Sequence, residues 1–279
     1  MDIQFPVRFE KMSGTGNDFV IIDNRDDSIR HGDQSTFAAR VCRRMFSVGA
    51  DGLILIEHSA VADFKWQFYN ADGSVGEMCG NGSRCVARFA YQHGIADRKM
   101  TFETLAGIIE AEIIGSDGDV RVLFTAPHDF RLDLALDLDG RPCNVSFVNT
   151  GVPHAIVFME EKDVPVKKWG RMIRYHQLFQ PAGTNADFVW LEEDGAITVR
   201  TYERGVEDET MACGTGAVAS AILAALQRGL ASPVTVLTSG GDRLEVHFEL
   251  AAGSEIGKVY LQGPARCIYA GELAAESLL

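Results

Sequence analysis

Two stretches of this chain begin with the same short pattern, CGNGSRCVARFAYQHG at residues 79–94 and CGTGAVASAILAALQRG at residues 213–229. In each stretch, Cys-Gly-x-Gly is followed by an apolar run that suits a helix and that a glycine closes. A glycine just past the end of a helix is the usual left-handed cap. The pattern therefore predicts two helices, over 83–93 and 217–228, each with a cysteine at its start.

The two stretches belong to a longer internal repeat. An offset of 134 residues separates the two cysteines, and the same offset relates three further pairs, Thr101 and Thr235, Thr104 and Thr238, and Gly107 and Gly241. The chain therefore reads as two related halves, with a boundary near residue 125 and a C-terminal strand that returns to the first half. We predict a first domain of residues 1–125 plus 266–279 and a second domain of residues 126–265.

Helix and strand patterns alternate through both halves, which indicates an α/β fold. A helix is predicted over 35–46, where Phe37, Val41 and Met45 recur at i, i+4 and i+8, and another is predicted over 166–176. Strands are predicted from alternation and apolar runs over residues 64–69, 120–124, 145–148, 156–159, 197–202, 234–237, 244–248, 259–261 and 267–270.

A cysteine at the start of a helix is placed for chemistry. The helix N-terminus carries unpaired backbone N–H groups and the positive end of the macrodipole, which favour a thiolate and hold an anion such as a carboxylate. If the halves pack about a pseudo-two-fold axis, Cys79 and Cys213 face each other across the cleft between them. Such a site has a base on one side of a bound substrate carboxylate and an acid on the other side. Inverting the carbon next to a carboxylate requires that arrangement.

The cysteines have three plainer interpretations. A free cysteine is often a small buried hydrophobe, and a pair can form a disulfide or bind a metal. The sequence has no Cys-x-x-Cys, and the spacing of Cys79 and Cys85 does not match zinc sites. Duplication of the whole motif favours the catalytic interpretation. The other four cysteines lie in apolar or mixed stretches and are predicted to be structural, namely Cys42, Cys85, Cys143 and Cys267.

Composition narrows the class of protein. The 279 residues include 26 Lys and Arg against 39 Asp and Glu, so the net charge is −13, which argues against nucleic acid or an anionic membrane as partner. The first eight residues show no signal peptide, and the longest apolar stretch, 217–226, is too short to cross a bilayer. We expect a soluble cytoplasmic protein with reduced thiols.

The chain resembles the diaminopimelate epimerase family. The resemblance rests on five motifs in family order that span nearly the whole chain, Lys11-Met12-Ser13-Gly14-Thr15-Gly16-Asn17-Asp18-Phe19, Phe68-Tyr69-Asn70-Ala71-Asp72-Gly73, Met78-Cys79-Gly80-Asn81-Gly82, Tyr202-Glu203-Arg204-Gly205 and Ala212-Cys213-Gly214-Thr215-Gly216. It implies two similar pseudo-symmetric α/β (α+β) domains, each a β-roll or barrel around a central helix, with the active site in the cleft between them. It also implies a homodimer and a cofactor-independent isomerase that interconverts LL- and meso-diaminopimelate for lysine and peptidoglycan biosynthesis, with no metal and no pyridoxal cofactor.

The resemblance also assigns roles to residues. Cys79 and Cys213 resemble the acid/base pair, and His154 and Glu203 resemble polar residues near the reacting carbon. The remaining matches are substrate-binding residues: Gly80, Asn81, Gly214 and Thr215 around the reacting carboxylate and amine, and Asn17, Asn70, Asn185 and Arg204 toward the distal amino acid group, with Glu203 close by. The guanidinium of an arginine suits a bidentate contact with a distal carboxylate.

These residues also have ordinary interpretations, and two positions depart from the family pattern. Asn17 and Asn70 lie in turn-rich segments, where asparagine is often only a turn residue. A lone histidine such as His154 is more often a packed or surface residue. Gly52 stands where a glutamine can occur in the family, and Val152 stands where an asparagine can contact substrate, which leaves distal recognition open.

The alternative function is that of a related two-cysteine racemase acting on proline, hydroxyproline or histidine. Proline racemase relatives tend to carry histidine after the first Cys-Gly, where this chain has Asn81. A second alternative is a relative similar to the phenazine-synthesis protein. Those relatives lack the cysteine pair, so its presence here counts against them.

Overall fold

The computed structural model describes residues 3–116, 118–161, 163–250 and 256–279. The described residues form four α-helices: α1 His31–Val41, α2 Gly80–Gln92, α3 Val166–Arg174 and α4 Gly214–Arg228. The strands are β1 Val7–Gly14, β2 Asn17–Asp23, β3 Gly52–Glu57, β4 Phe64–Asn70, β5 Val75–Gly76, β6 Lys99–Thr104, β7 Gly107–Ile114, β8 Asp119–Phe124, β9 His128–Leu138, β10 Arg141–Asn149, β11 Pro153–Phe158, β12 Asn185–Leu191, β13 Ile197–Glu203, β14 Asp208–Thr210, β15 Val234–Thr238, β16 Arg243–Leu250, β17 Ile256–Pro264 and β18 Arg266–Leu273.

The chain divides into two compact units. Unit 1 comprises Met1–Val122 and Gly263–Leu279, and unit 2 comprises Leu123–Gln262. Both divisions fall three residues before the domain boundaries predicted above. The chain passes out of unit 1 within β8 and re-enters it within β17.

Unit 1 is built on two parallel strand pairs, each joined by a helix. β2 and β3 run parallel with α1 between them in sequence, and β4 and β6 run parallel with α2 between them. The other neighbours pair antiparallel: β1 with β2, β3 with β4, β4 with β5, β6 with β7, and β7 with β8. β18 adds to the free side of β1, as predicted for the returning C-terminal strand.

Unit 2 repeats this plan strand by strand. β11 and β12 run parallel around α3, and β13 and β15 run parallel around α4. The antiparallel pairs follow in the same order: β9 with β10, β10 with β11, β12 with β13, β13 with β14, β15 with β16, and β16 with β17. The internal repeat read from the sequence is therefore a duplication of one α/β unit, and the predicted fold class is confirmed.

Each unit has one interior helix and one outer helix. All ten residues from Gly216 to Ala225 on α4 are buried, and the corresponding part of α2 is nearly as enclosed, because strands surround both helices. On the opposite face of the sheet, α1 packs its side chains on β2 and β3, and α3 packs Trp169 and Ile173 on β11 and β12. These strands are covered on both faces, which explains their continuous apolar sequences. No helix in the described ranges is long and apolar enough to cross a membrane.

The predicted helices differ from the observed ones at their ends. α2 and α4 begin three residues before the predicted starts, because the glycines of Cys-Gly-x-Gly already form the first helical turn. The prediction of helix over 35–46 is wrong at both ends, since α1 spans His31–Val41. Met45 has a positive φ of 68° and its side chain is fully exposed, so it cannot extend the helix.

Candidate active site

Cys79 is the N-cap residue of α2 in unit 1. Its backbone is extended, its carbonyl accepts the N–H of Ser83 at 2.8 Å, and its Sγ lies 3.5 Å from the backbone nitrogen of Gly82, which donates to it. The thiol is half-buried. Its sulfur therefore sits where the first-turn N–H groups of the helix stabilise negative charge.

A network of buried polar side chains fixes the residues beside Cys79. Arg84 on α2 is fully buried, and its Nη2 donates to Thr15 Oγ1 at 2.5 Å and to Asn81 Oδ1 at 2.7 Å. Asn81 Nδ2 in turn donates to Asn17 Oδ1 at 2.8 Å. The tight turn between β1 and β2, which holds Thr15 at a positive φ of 49°, thus brings Asn17 to the start of α2. Asn17 and Asn81, both predicted as binding residues, lie together in unit 1.

Cys213 is the N-cap residue of α4 in unit 2, at the position equivalent to Cys79. Its carbonyl accepts the N–H of Ala217 at 2.9 Å, and its half-buried Sγ lies 3.3 Å from Thr215 Oγ1. The backbone carbonyl of Thr215 accepts a hydrogen bond from Thr150 Oγ1 at 3.0 Å. The two thiols therefore share their place on a helix but have different partners, a backbone N–H for Cys79 and a side-chain hydroxyl for Cys213.

His154 continues the polar contacts of Cys213 into the interior of unit 2. Its ring is fully buried, with Nε2 2.9 Å from Thr215 Oγ1 and Nδ1 2.7 Å from Asp187 Oδ2. Desolvation lowers the pKa of His154, but the neighbouring Asp187 carboxylate and the Cys213 thiol more than offset it and raise the pKa to about 10. His154 therefore carries a positive charge at neutral pH, close to the sulfur of Cys213.

Asn185 lies beside His154 and holds the backbone of Arg204, the residue after Glu203. Asn185 Oδ1 accepts the backbone N–H of Arg204 at 2.7 Å, and its Nδ2 lies 3.3 Å from His154 Nε2. Burial raises the pKa of Glu203, at the end of β13. The Arg204 guanidinium donates to the carbonyl of Ala182 at 3.0 Å and takes part in none of the ion pairs formed within the described ranges. The Arg204 guanidinium is therefore held by this carbonyl and not by an ion pair with the neighbouring Glu203.

Asn70 is not joined to the other predicted binding residues of unit 1 by a described hydrogen bond. It ends β4, is exposed, and donates from Nδ2 to Ser74 Oγ at 2.9 Å within the following turn. The structure thus gives it the turn contacts expected of an asparagine in such a segment, and its binding role stays a prediction.

The two departures from the family pattern have local structural settings. A Cβ at Gly52 would lie 2.7 Å from both the Phe68 ring and the carbonyl oxygen of Tyr69, so a longer side chain there requires Phe68 to move. The carbonyl of Val152 accepts the backbone N–H of Thr150 at 3.1 Å, and Asn149 Oδ1 accepts the N–H of Gly151 at 3.0 Å. Asn149 is therefore engaged in its own turn.

The remaining cysteines divide into buried and accessible thiols. Cys42 and Cys85 are buried, and burial raises the pKa of each to about 12, which fits the packing role predicted for them. Cys143 is half-buried. Cys267 is exposed on β18, so its prediction as a packed residue is wrong. All six cysteines are free thiols, and no cluster of three or more metal-ligating side chains occurs among the residues that the structure describes.

Sequence reasoning missed Asp187, Thr201, Thr15 and Arg84. Thr201 Oγ1 donates to Asp187 Oδ1 at 2.6 Å, so the carboxylate has partners on both oxygens. The available signal was a charged residue in the middle of an otherwise apolar strand, Asn185–Leu191, and an arginine in the apolar run of α2. Charged residues are almost never fully buried unless they are paired.

The register of the strands shows which residues of unit 1 correspond to the hydrogen-bonded residues His154, Asp187 and Thr201. His154 pairs with Asn185 as Phe19 pairs with Gly52, and Asp187 pairs with Thr201 as Ile54 pairs with Phe68. A Cβ at Gly216 would meet Asp187 and His154, and one at the equivalent Gly82 would meet Ile54. Unit 1 therefore has Phe19, Ile54 and Phe68 where unit 2 has His154, Asp187 and Thr201.

Solved structures share this duplicated fold at low sequence identity. A phenazine biosynthesis protein from Bacillus anthracis matches with a TM-score of 0.78 at 16% identity, covering 97% of this chain and 100% of that one. A probable proline racemase from Agrobacterium radiobacter K84 matches with a TM-score of 0.68 at 16% identity, covering 96% of this chain and 93% of that one. These similarities define the class of fold and do not select among its activities.

Sequence comparison selects the family within that class. The family described as diaminopimelate epimerase matches residues 9–128 and 146–267. The diaminopimelate epimerase of Aquifex aeolicus is 46% identical over 98% of this chain and 99% of its own length, and that of Archaeoglobus fulgidus is 39% identical over 98% of each. The chain belongs to the diaminopimelate epimerase family.

Proposed function

We propose that this protein interconverts LL- and meso-diaminopimelate by moving a proton between two thiols, without a cofactor. The observation that carries the proposal is the duplication itself: each unit presents one cysteine as the N-cap of its interior helix, in a chain 46% identical to a curated diaminopimelate epimerase. We further propose a cytoplasmic homodimer that serves lysine and peptidoglycan synthesis.

The chemistry assigns opposite tasks to the two cysteines. One thiolate removes the α-proton, and the other thiol delivers a proton to the opposite face, so that each sulfur exchanges its protonation state in one turnover. The first-turn N–H groups at Gly80 and Asn81 in unit 1 and at Gly214 and Thr215 in unit 2 bind the carboxylate and stabilise the developing carbanion. This stabilisation replaces the electron sink that a pyridoxal ring supplies in other enzymes.

Arg204 and the asparagines select a substrate with a second amino acid group. The Arg204 guanidinium has no ion-pair partner in the described ranges, and Asn185 holds the backbone of Arg204, so this side chain suits a distal carboxylate. Glu203 and Asn17 offer acceptors for a distal ammonium. A substrate such as proline has no second carboxylate for Arg204, which favours diaminopimelate over the racemase alternative.

The decisive experiment measures proton exchange in heavy water. Purified protein incubated with LL-diaminopimelate should yield the meso isomer carrying deuterium at the inverted carbon, with no cofactor added. Replacing Cys79 or Cys213 by Ala should lower the rate by at least about 10²–10⁴-fold, the usual value of an acid/base group. Cys85→Ala, which removes a buried thiol from the same helix as Cys79, is the matched control.

Two outcomes contradict the proposal. Rapid racemisation of proline, hydroxyproline or histidine with diaminopimelate inert would assign the protein to the racemase alternative. Normal turnover in Cys213→Ala would rule out the two-thiol mechanism whatever the substrate.

A further inference from the structure

Asp187 is a fully buried acidic residue of unit 2. Its side chain and that of His154 have no solvent exposure. Both oxygens are used: Oδ2 lies 2.7 Å from His154 Nδ1, and Oδ1 accepts the Thr201 hydroxyl at 2.6 Å. Two short hydrogen bonds on opposite oxygens fix the plane of the carboxylate and therefore the plane of the imidazole that it holds.

From His154 the hydrogen bonds lead to a reactive group. Nε2 lies 2.9 Å from Thr215 Oγ1, and the same hydroxyl lies 3.3 Å from Cys213 Sγ. A single threonine hydroxyl thus stands between a buried histidine and the sulfur, and its oxygen accepts from the ring when its proton points to the sulfur. The path from the carboxylate to the thiol consists of side chains on β12, β11 and the first turn of α4.

Unit 1 shows that this fold does not need a buried carboxylate here. Its equivalent positions are Phe19, Ile54 and Phe68, which pack beneath the start of α2 in the same register. Burying an ion pair costs desolvation energy, and replacing it by apolar side chains is often neutral or stabilising. The pair in unit 2 therefore has a role other than completing the interior.

We propose that Asp187 is a positioning residue for the chemistry of Cys213. It accepts the Nδ1–H of His154, which turns Nε2 toward Thr215 and orients the threonine hydroxyl toward the sulfur. This role deepens the proposed function, since it rests on Cys213 acting as one of the two proton-transferring thiols.

The charges around Cys213 in unit 2 agree with that geometry. The titratable side chains near it are His154 on β11, Asp187 on β12 and Glu203 on β13. The Asp187 carboxylate neutralises the imidazolium that forms at His154, and Nε2 then presents a proton toward the threonine and the sulfur. Asn185 Nδ2 lies 3.3 Å from Nε2.

Asp187→Asn provides the test because it keeps the size and changes the donor pattern. With Thr201 still donating to its Oδ1, the asparagine turns an NH₂ group toward His154, so Nδ1 loses its proton and becomes an acceptor. The ring is then neutral, with its remaining proton on Nε2, and the positive charge beside Cys213 is lost. We expect loss of the low-field Nδ1–H proton resonance, assigned in the unaltered protein by its absence in His154→Gln. We also expect turnover to fall at least about tenfold with little change in KM.

The two thiols of one molecule supply the internal control. Under reducing conditions, carboxamidomethylation by iodoacetamide is followed at each cysteine by peptide mapping. In Asp187→Asn, the rate at Cys213 should fall at least about tenfold, while the rate at Cys79 stays within about twofold. Neither rate depends on which substrate the enzyme uses, so a wrong substrate assignment leaves this test intact.

Three results would overturn the proposal: an unaltered protein with no low-field His154 resonance, equal loss of reactivity at both thiols, or unchanged reactivity at Cys213 in Asp187→Asn. Thr201→Val provides a second test if the Asp187→Asn protein folds poorly. It keeps the carboxylate but frees one oxygen, and should lower the Cys213 rate in the same direction by a smaller factor.

Discussion

The starts of α2 and α4 are two solutions to the same packing problem. Beneath α2 the interior is closed by the apolar side chains of Phe19 and Ile54, whereas beneath α4 it is closed by the hydrogen-bonded pair His154 and Asp187. Unit 1 instead buries a charge on the helix itself, at Arg84, which is fully enclosed. Duplication preserved the backbone plan and the cysteine, and the two copies diverged in how polar groups reach the thiol.

The difference separates what the fold requires from what the chemistry requires. The second glycine of Cys-Gly-x-Gly is shared by both units, and Gly82 and Gly216 each lie against the strand behind the helix. The hydrogen-bonded side chains of His154, Asp187 and Thr201 have no polar equivalents at the corresponding strand positions of unit 1, so this fold does not require them. The two thiols are therefore chemically distinct, even though their helices are equivalent.

The strongest way to break this comparison is to make unit 2 apolar. A triple variant with His154→Leu, Asp187→Ile and Thr201→Val removes the hydrogen-bonded side chains. Valine is chosen at position 201 because the larger Phe68 of unit 1 requires the space at Gly52 and Gly76. We expect turnover to fall by about 10²–10⁴-fold. The free energy of unfolding should stay equal or rise by about 1–4 kcal/mol, as for other buried ion pairs replaced by hydrophobic residues.

Denaturant unfolding and deuterium exchange measure the two effects separately. A variant that folds and turns over normally would show that the polar chain has no function. A variant that fails to fold would show that unit 2, unlike unit 1, depends on it for structure.

A matched pair of glycine substitutions sharpens the comparison at smaller scale. A Cβ at position 216 would lie 2.5 Å from Asp187 Oδ1, whereas one at position 82 would lie 3.2 Å from Ile54 Cδ1. Because the carboxylate is held by two hydrogen bonds, Gly216→Ala should destabilise the protein by about 1–3 kcal/mol. In Gly82→Ala the gain in helix propensity, up to about 1 kcal/mol, should largely offset the tighter contact.

Thermal or denaturant unfolding of both variants checks the expected order. Equal losses of stability in the two variants would mean that Asp187 moves as easily as an isoleucine methyl group. Its hydrogen bonds to His154 and Thr201 would then not fix it in place. The Gly216→Ala protein should also lose turnover, since the displaced carboxylate no longer holds His154.

The pH dependence of stability sharpens the comparison further. The pKa of His154 is raised from 6.5 to about 10 in the folded protein, with desolvation opposed by the stronger influence of Asp187. Its stabilising contribution is therefore fully present below pH 6.5 and is lost as the pH rises toward 10. The unfolding free energy of the unaltered protein, measured against the apolar triple variant, should fall across that window.

Titration of other groups largely cancels in that difference, because both proteins carry them. A difference that stays flat between pH 6.5 and 10 would mean that His154 is neutral in the folded state. The same measurement at lower pH checks that the contribution has reached its plateau.

The sequence predicted the fold because its repeat is punctuated by glycines. Cys-Gly-x-Gly and the closing Gly229, which has a left-handed φ of 75°, mark both ends of α4. Of the continuous apolar strands beside the interior helices, β11 was predicted, at residues 156–159, whereas β2, β3 and β12 were not. An apolar run without alternation does not by itself distinguish a buried strand from a buried helix. β9 was not predicted either: its apolar residues alternate from Phe130 to Leu138, but only Leu136 and Leu138 are buried.

The site was only partly predictable from the sequence. Cys79 and Cys213 followed from the duplication, and His154, Asn185 and Arg204 followed from family resemblance. Asp187 and Arg84 lie inside apolar segments, and their burial depends on partners from distant parts of the chain, namely His154 on β11 and Thr15 in the β1–β2 turn. No local pattern encodes such a meeting, since strand pairing and register decide it.

The strand order of unit 1 also determines when its strands can pair during translation. β18 pairs along the length of β1, from Val7 with Leu273 to Ser13 with Arg266, and Arg40 of α1 donates to the carbonyl of Leu278. All of unit 2 is synthesised before these residues emerge. The nascent chain therefore carries β1 with an uncovered edge while unit 2 is already able to close, and such an edge invites pairing with other chains. Unit 1, whose first strands are translated before any of unit 2, is thus the last of the two units to be completed.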